Sequence, residues 1–265
     1  MPMIVVAAGA TDVGRARSNN EDAFIVAPVG SDDVVNSTTG EAIFDLRQVR
    51  ALLAVSDGMG GAEAGEVASA IVLQSLRASL SEQGSDRESA LYAAVERANR
   101  EVWTASATPG RKGMGATLTA VFMHGDDAHV AEVGDSRAYL RRGGKLQQIT
   151  HDQSYVQVLL DAGALTKDEV ERSPLKNIIL TAMGQGPDVR VDIGRIPLMP
   201  GDKVLLCSDG LSNEVSAEQI DQALAVAEPA LATCQKLIAL ANQHGGRDNI
   251  TVIVAELREV VPDPR

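Results

Sequence analysis

Short runs of aliphatic residues, each bounded by Gly, Asp or Asn, recur along the chain and predict β-strands. The predicted strands cover residues 4–8, 23–27, 51–55, 117–123, 128–133, 203–207 and 250–257. Longer segments repeat apolar residues at helical spacing instead. In the first of these, Val72, Leu76 and Leu80 recur at every fourth position. The predicted helices cover residues 63–80, 88–106, 216–226 and 230–241, and the third opens with Ser216 as N-cap and Gln219 three positions on.

The order of these elements predicts the fold class. Strands occur in neighbouring groups and helices in neighbouring pairs, which favours antiparallel sheets covered by helices over an alternating parallel sheet. We therefore expect an α+β fold. Because no Pro/Ser-rich linker divides the chain, we expect residues 1–258 to form one domain and residues 259–265 a frayed tail. Residues 30–50, which are polar and turn-rich, and residues 151–187, which contain short helical pieces, interrupt the pattern and are expected to be insertions. The second is expected to be a mobile flap.

Composition excludes several classes of protein. The chain has 265 residues and a formal net charge of −12, which argues against binding to nucleic acid or to an anionic membrane. A hydrophobic content of 45% argues against disorder. No apolar stretch reaches the roughly 18 to 20 residues that cross a bilayer. The two cysteines, Cys207 and Cys234, suit neither a disulfide framework nor a zinc site, so we expect a cytoplasmic protein.

Acidic residues stand where predicted strands begin or end. Asp57, Asp135 and Asp209 each follow such a strand. Asp248 precedes the last predicted strand. A single Asp-Gly or Asp-Ser pair is an ordinary turn signal and carries little weight. Four acids at strand ends, two of them within the same Ser-Asp-Gly sequence, predict that these carboxylates converge at one edge of the core.

Converging carboxylates would need cations. Two unit charges about 4 Å apart repel by about 4 kcal/mol at an effective dielectric constant near 20. A few such pairs would equal the stability of a whole domain, about 5–15 kcal/mol. All candidate ligands are oxygen atoms, which favours Mg²⁺ or Mn²⁺ over zinc, and calcium stays open in principle. Two such ions could ionise a water for attack on phosphorus, so hydrolysis of a phosphate ester is the leading chemistry.

An arginine-containing segment follows the first predicted strand. Residues 11–22 read TDVGRARSNNED and place two arginines close to two adjacent acids. The Arg17 guanidinium could donate two hydrogen bonds to a phosphate group. An arginine in a polar loop is, however, more often a solvated surface residue, so Arg17 alone does not identify a phosphate site.

Six ordered motifs resemble those of one enzyme family. They are TDVGRARSNNED, LLAVSDGMGG, GMGATL, VGDSRAYL, CSDGL and GRDNITVIV. Together they span residues 7–257 and resemble bacterial members of the PPM/PP2C family of metal-dependent Ser/Thr protein phosphatases. The resemblance implies a four-layer α-β-β-α sandwich, in which two antiparallel sheets are flanked by helical layers. It also implies hydrolysis of phosphoserine and phosphothreonine by a hydroxide that bridges two Mn²⁺ or Mg²⁺ ions.

The resemblance implies a metal-binding role for several residues. Asp57 would bridge two ions, and Asp209 and Asp248 would complete the ligands of the first. The carbonyl oxygen of Gly58 would bind the second ion. Asp135 would join Asp209 in holding a third, weaker ion.

The N-terminal motif and the last motif carry further implied roles. Arg17 would bind the substrate phosphate. Glu21 and Asp22 match the family's acidic pair, which acts on the second ion or on its waters, and which of the two touches the ion is left open. Asn249 would orient Asp248.

One position departs from the animal members of the family. Those members place a histidine, the proposed general acid, two residues after the bridging aspartate, and this chain has Met59 there. A thioether cannot donate a proton. Bacterial relatives also carry methionine at this position, so the acid would be a metal-bound water or another residue. His151 is one candidate, with a solvent-exposed or capping histidine as the alternative.

Other polar residues in the motifs are expected to be structural. Thr117 would shape a tight connection between helix and strand, with a hydroxyl contact to the site as the lesser alternative. Ser136 and Arg137 would brace the turn that aims Asp135. Cys207 would be a buried structural thiol rather than a redox switch.

Two other functions stay open beside the phosphatase. A non-catalytic relative with the same fold could bind phosphoproteins or a regulatory partner, although Asp57, Gly58, Asp209 and Asp248 are all intact. An acidic, calcium-responsive binding protein is the second alternative. As a phosphatase, the chain is expected to be a monomer that acts on phosphorylated proteins, including a Ser/Thr kinase or its targets.

Overall fold

The computed structural model describes residues 3–30, 41–61, 64–82 and 86–259, apart from the side chain of Glu171. Its strands are β1 (Met3–Asp12), β2 (Ala23–Val29), β3 (Ala42–Asp45), β4 (Arg50–Ser56), β5 (Gly58–Met59), β6 (Gly115–Ala116), β7 (Leu118–His124), β8 (Asp127–Val133), β9 (Arg137–Arg142), β10 (Lys145–Gln148), β11 (Asp192–Pro197), β12 (Lys203–Cys207) and β13 (Ile250–Glu259). Its helices are α1 (Ala64–Glu82), α2 (Arg87–Ser106), α3 (Tyr155–Asp161), α4 (Lys167–Arg172), α5 (Asp209–Ser212), α6 (Ala217–Ala225) and α7 (Ala230–His244). Every predicted strand and helix is confirmed, with boundaries shifted by a few residues.

The strands form two large antiparallel sheets, as predicted. The first has six strands in the order β10-β9-β12-β13-β1-β3, and the second has five in the order β11-β8-β7-β4-β2. The longest ladder joins β1 to β13 from the pair Met3–Glu259 to the pair Asp12–Ile250. A small third sheet pairs β5 with β6.

Central strands are apolar on both faces because each face packs into a different core. In β13, Ile253 and Ala255 face the core between the two sheets. Val252 and Val254 face the core beneath α6 and α7. A third core lies between the five-stranded sheet and the helices α1 and α2. Three stacked cores separate four layers, which confirms the α-β-β-α sandwich.

Local signals fix where the helices of the outer layer begin and end. Ser216 caps α6 by accepting a hydrogen bond from the Gln219 amide at 3.3 Å, and the Gln219 side chain accepts one from the Ser216 amide at 3.1 Å. This capping box was expected from the sequence. Gly245, with φ of +143°, follows α7 and allows the chain to turn towards β13.

The first insertion is more structured than the sequence pattern indicates, and the second contains the short helices expected there. Within residues 30–50, β3 pairs with β1 along the edge of the six-stranded sheet, whereas residues 31–40 lie outside the described part. Residues 151–187, called the flap from here on, carry α3 and α4. Glu259, expected to begin the tail, is instead the last residue of β13, and residues 260–265 are not described. No helix of the described residues has the length and hydropathy that crossing a membrane requires.

Candidate metal centre

The acids at the strand ends do converge in the folded chain. Asp57 follows β4, and desolvation raises its pKa well above the usual range. Neighbouring carboxylates raise the pKa of Asp57 further, and these are Asp22, Asp209, Asp135 and Asp248. Asp22 and Asp135 are buried, whereas Asp57 and Asp209 are partly exposed. The acids therefore form one cluster that is open to solvent on one side.

Several oxygen atoms of this cluster have no protein partner among the described residues. Oδ1 of Asp22, Oδ1 of Asp135 and Oδ1 of Asp209 are buried and accept no hydrogen bond. Buried polar atoms are nearly always paired, so each unpaired oxygen is a place where a cation would bind. Burial raises the pKa of Asp22 to about 7 and that of Asp209 to about 6, which shows how poorly the protein alone stabilises their charges.

The donor set fits hard divalent cations. It consists of carboxylate oxygens, which Mg²⁺ and Mn²⁺ prefer as ligands. Within the part of the chain that the structure describes, no three His, Cys, Asp or Glu side chains already enclose a metal position. Such ions retain several waters in many protein sites, so a complete cage of side chains is not required.

Close packing of glycines brings the second motif against the acidic pair. A Cβ atom on Gly58 would lie 2.2 Å from the Gly65 carbonyl oxygen and 2.6 Å from the Glu21 carbonyl oxygen. A Cβ atom on Gly65 would lie 1.9 Å from Oε2 of Glu21. Only glycine fits at either position, because every other residue has a Cβ atom. The backbone after Asp57, the start of α1 and Glu21 therefore share one crowded contact.

Arg17 lies beside the carboxylates and remains open to solvent. Its Nη2 atom donates a hydrogen bond to Oδ2 of Asp248 at 2.7 Å, and 54% of the Arg17 side chain is exposed. The hydrogen bond and charge of Asp248 raise the pKa of Arg17, and Glu21 and Asp57 contribute further. The guanidinium group thus stands at the open side of the cluster, with other N–H donors free of Asp248.

Asn249 joins the N-terminal loop to the last strand. Its Oδ1 atom accepts a hydrogen bond from the Glu21 amide at 2.8 Å, and its Nδ2 atom donates to the carbonyls of Val13 and Asn19 at 3.0 and 2.9 Å. The backbone amide of Asn249 donates to Oδ1 of Asp248 at 2.9 Å. The contact with Asp248 is therefore made by the backbone, while the side chain holds the loop that carries Arg17.

The two acids of the N-terminal motif occupy different places. Asp22 is only 8% exposed and accepts a hydrogen bond from the Ser208 hydroxyl at 2.7 Å. Glu21 accepts one from the Asn19 side chain at 3.3 Å and lies against Gly65 at the start of α1. Asp22 is thus the member of the pair whose carboxylate lies inside the acidic cluster.

The Thr117 hydroxyl contacts the site directly, as in the lesser of the two alternatives for this residue. Its Oγ1 atom accepts a hydrogen bond from the Asp57 amide at 2.9 Å and lies 2.8 Å from Oγ of Ser136. Its own amide donates to the Asp57 carbonyl at 2.8 Å. Ser136 is the neighbour of Asp135, so a buried pair of hydroxyls links the loops of two acids.

Comparison with known proteins supports the same assignment. The sequence model of the family described as protein phosphatase 2C matches residues 39–248. The chain belongs to the protein phosphatase 2C family. It is 38% identical to the serine/threonine protein phosphatase PstP of Mycobacterium tuberculosis over 94% of this chain, although the match spans only 44% of PstP. It is 34% identical to the serine/threonine phosphatase stp of Listeria innocua over 93% of either chain.

A solved structure extends the comparison to metal binding. The catalytic domain of PstP, in complex with two manganese ions, aligns with a TM-score of 0.81 at 36% identity, over 97% of this chain and 100% of that domain. The family and fold expected from the motifs are therefore confirmed. The manganese complex and the names of the relatives favour a metal-dependent phosphatase over a non-catalytic phosphatase 2C relative.

Met59 and His151, discussed above for the general acid, lie in different surroundings. Met59 is in β5, paired with Gly115 of β6. The imidazole of His151 lies 2.8 Å from Oδ2 of Asp161 at the end of α3, and 60% of its side chain is exposed. This exposed contact within the flap matches the alternative considered for His151 better than the role of proton donor.

The flap of this phosphatase 2C domain is tied to the acidic cluster at its first residues. Nε and Nη2 of Arg137 donate to the two carboxylate oxygens of Asp152 at 3.0 and 2.7 Å. The charge of Arg137 opposes the upward shifts in the pKa of Asp135 and Asp209. Lys176, further along the flap, acts in the same direction on Asp209. Arg137 therefore braces more than the turn at Asp135, because its ion pair anchors the flap.

Proposed function

We propose that this chain is a manganese- or magnesium-dependent protein phosphatase that hydrolyses phosphoserine and phosphothreonine. The observation that carries the proposal is the cluster of carboxylates with unpaired buried oxygens beside the exposed guanidinium of Arg17. Two divalent cations would offset the repulsion between the acids, and the arginine would attract a phosphate to the same place. Membership of the protein phosphatase 2C family supports this assignment.

The residues would divide the metal-binding task according to their positions. Asp57, at the centre of the cluster, would contact both ions of the pair. Asp209 and Asp248 would complete the first ion, and the Gly58 carbonyl would bind the second. When bound, the two ions supply an acidified water for in-line attack on phosphorus. Asp22 would act on the second ion or on its waters.

A third, weaker ion would lie between Asp135 and Asp209. Among the charged neighbours of Asp135, Asp209 raises its pKa most, which supports an ion shared by the two carboxylates. Asp135 has one buried oxygen without a partner among the described residues. Because this ion would lack Asp57 as a ligand, we expect it to be held less tightly than the other two.

Arg17 would hold the substrate phosphate in place. Its guanidinium has five N–H donors in a rigid plane, and the bond to Asp248 leaves others for a phosphate. Such charge-assisted bonds orient the phosphoryl group as well as attract it. Asn249 contributes indirectly, since its side chain secures the loop from Val13 to Glu21.

Turnover measurements with matched variants test the proposal. Wild-type protein is assayed with Mn²⁺ on a phosphothreonine peptide and on p-nitrophenyl phosphate, with and without chelator. Asp209→Asn should abolish turnover, whereas Asp126→Asn, which changes an exposed acid in the turn between β7 and β8, should leave it unchanged. Absence of turnover in the wild type, or turnover that ignores the chelator, would contradict the proposal.

We also infer the substrates, the cellular location and the oligomeric state of the chain. We expect the substrates to be phosphorylated proteins, including a Ser/Thr kinase or its targets. Two unpaired, buried cysteines, Cys207 and Cys234, suit a reducing compartment and support a cytoplasmic location. We expect the chain to act as a monomer.

A further inference from the structure

Gln153 lies at the entrance to the flap and is only 6% exposed. Its backbone amide donates to the Gly134 carbonyl at 2.7 Å, and its side-chain Oε1 accepts from the Gly134 amide at 3.1 Å. Gln153 therefore satisfies both polar groups of Gly134. A neighbouring β-strand would hold a residue in the same way.

The remaining hydrogen bonds of Gln153 reach both ends of the flap. Its Nε2 atom donates to the Glu132 carbonyl at 3.3 Å and to Oδ2 of Asp192 at 2.8 Å. The backbone carbonyl of Gln153 accepts a hydrogen bond from the Leu180 amide at 2.8 Å. Leu180 lies where the flap returns, and Asp192 begins β11. The side chain of Gln153 thus joins the end of β8 to the start of β11, and its backbone joins the entry of the flap to Leu180.

The turn that Gln153 holds carries Asp135. Gly134 has φ of +109°, and a Cβ atom there would lie 2.7 Å from the Thr117 side chain, so this turn has little freedom to adopt another shape. On the C-terminal side of Asp135, Ser136 is fastened through Thr117. On the N-terminal side, both polar groups of Gly134 bond to Gln153.

We propose that Gln153 is a positioning residue whose side chain sets the place of the Asp135 carboxylate. Loss of its bonds to the Gly134 amide and the Glu132 carbonyl frees the Gly134 peptide and with it Asp135. Affinity for the ion between Asp135 and Asp209 then depends on the Gln153 side chain. The inference rests on the metal-binding role proposed above for Asp135.

The first arm of the test needs neither metal nor activity. Amide hydrogen exchange is measured on metal-free protein for wild type, Gln153→Met, Gln153→Glu and the control Gln157→Met. Gln157 lies in the same flap and also has an amide side chain, but that side chain donates a hydrogen bond to Asp161 on the exposed side of α3. We expect exchange at Gly134 to rise about tenfold in Gln153→Met, and less in Gln153→Glu, which keeps an acceptor for the Gly134 amide.

Exchange in β13 shows whether any effect is local. Its amides should exchange at wild-type rates in all four proteins. Unchanged exchange at Gly134 in Gln153→Met, an equal rise in Gln157→Met, or a uniform rise that includes β13 would overturn the inference. None of these results depends on whether the protein is a phosphatase.

The second arm measures the metal dependence. Calorimetric titration and turnover of p-nitrophenyl phosphate should both show that Gln153→Met needs at least threefold more Mn²⁺ to fill its weakest site. The KM at saturating Mn²⁺ should stay at the wild-type value, a separation that general loss of structure would not produce. Equal Mn²⁺ dependence in Gln153→Met and wild type would contradict the positioning role of Gln153. A wild type without any Mn²⁺-dependent turnover would instead contradict the proposed function.

Discussion

The backbone of Asp57 is paired on both sides with Thr117. The threonine hydroxyl accepts a hydrogen bond from the Asp57 amide at 2.9 Å, and the threonine amide donates to the Asp57 carbonyl at 2.8 Å. The central acid of the cluster is therefore held by a residue from the start of a neighbouring strand. The same hydroxyl lies 2.8 Å from Ser136, which connects it with the turn of Asp135.

Removing that hydroxyl should weaken both the fold and the site. Thr117→Val keeps the shape of the side chain but leaves the part-buried Asp57 amide without its acceptor, which costs about 1 kcal/mol in the free energy of unfolding. We also expect a fall in kcat, since the Asp57 carboxylate loses its fixed position. Thr117→Ser retains the oxygen and serves as the control. Equal unfolding midpoints in urea for Val and Ser variants would refute this role.

Asn249 should control the order of the loop that carries Arg17. Asn249→Ala removes three hydrogen bonds from the loop, and at about 1 kcal/mol each their loss frees it from β13. Trypsin should then cleave after Arg15 or Arg17 several times faster than in the wild type. Gln243→Ala, which changes an exposed amide near the end of α7, is the control. Cleavage at equal rates in all three proteins would show that Asn249 does not secure the loop.

Arg17 should affect binding of phosphate groups more than folding. Arg17→Ala removes a charge-assisted donor to phosphate, an interaction of about 1.5–3 kcal/mol, so KM for aryl phosphate should rise by roughly 10- to 100-fold. The neighbouring exposed Arg15, changed to alanine, should leave KM within about twofold of the wild type. Steady-state kinetics at saturating Mn²⁺ distinguish the two. An unchanged KM and kcat in Arg17→Ala would remove this residue from the site.

Glu132 makes the stability depend on pH. Burial raises the pKa of this carboxyl well above its usual 4.5, and the hydrogen bond from Thr119 offsets only part of the shift. The folded state therefore holds a proton that the unfolded state releases, so stability falls as pH rises from about 4.5 towards the folded-state pKa. The loss amounts to at most about 1.4 kcal/mol per pH unit for this one group.

Glu132→Gln should abolish that contribution, because the amide stays neutral and still accepts from Thr119. Urea unfolding of metal-free protein at several pH values gives the comparison. The free energy of unfolding of Glu132→Gln, relative to wild type, should increase as the pH rises above about 4.5. Parallel pH profiles for the two proteins would mean that Glu132 is not protonated in the folded state.

Strands with long apolar runs were predictable, whereas strands with short or polar sequences were not. Strands such as β4 and β13 pack apolar side chains into two cores, so their apolar runs predict them without knowledge of the fold. The edge strand β2 is also mostly buried and was predicted. The pattern did not predict the edge strands β3, β10 and β11, nor β9, which lies between β10 and β12 and contains three arginines. Pairing with a neighbouring strand, rather than the composition of their own segments, makes them strands.

The acids of the site were predictable for a similar local reason. A carboxylate at the end of an apolar strand is visible in the sequence, and the six motifs identified Asp57, Asp209 and Asp248 together. The residues that support them were not. Thr117 and Gln153 act through hydrogen bonds to Asp57 and Gly134, and such contacts exist only once distant loops meet. A hydroxyl that starts an apolar strand beside the site was the one available signal for Thr117.

Anomalous scattering from crystals grown with Mn²⁺ tests the central claim most directly, because it locates the ions without reference to activity. The account predicts two manganese peaks that share Asp57, one of them also in contact with Asp209 and Asp248 and the other with the Gly58 carbonyl. An ordered Asp57 with no anomalous peak beside it, at a Mn²⁺ concentration that supports turnover, would contradict the claim.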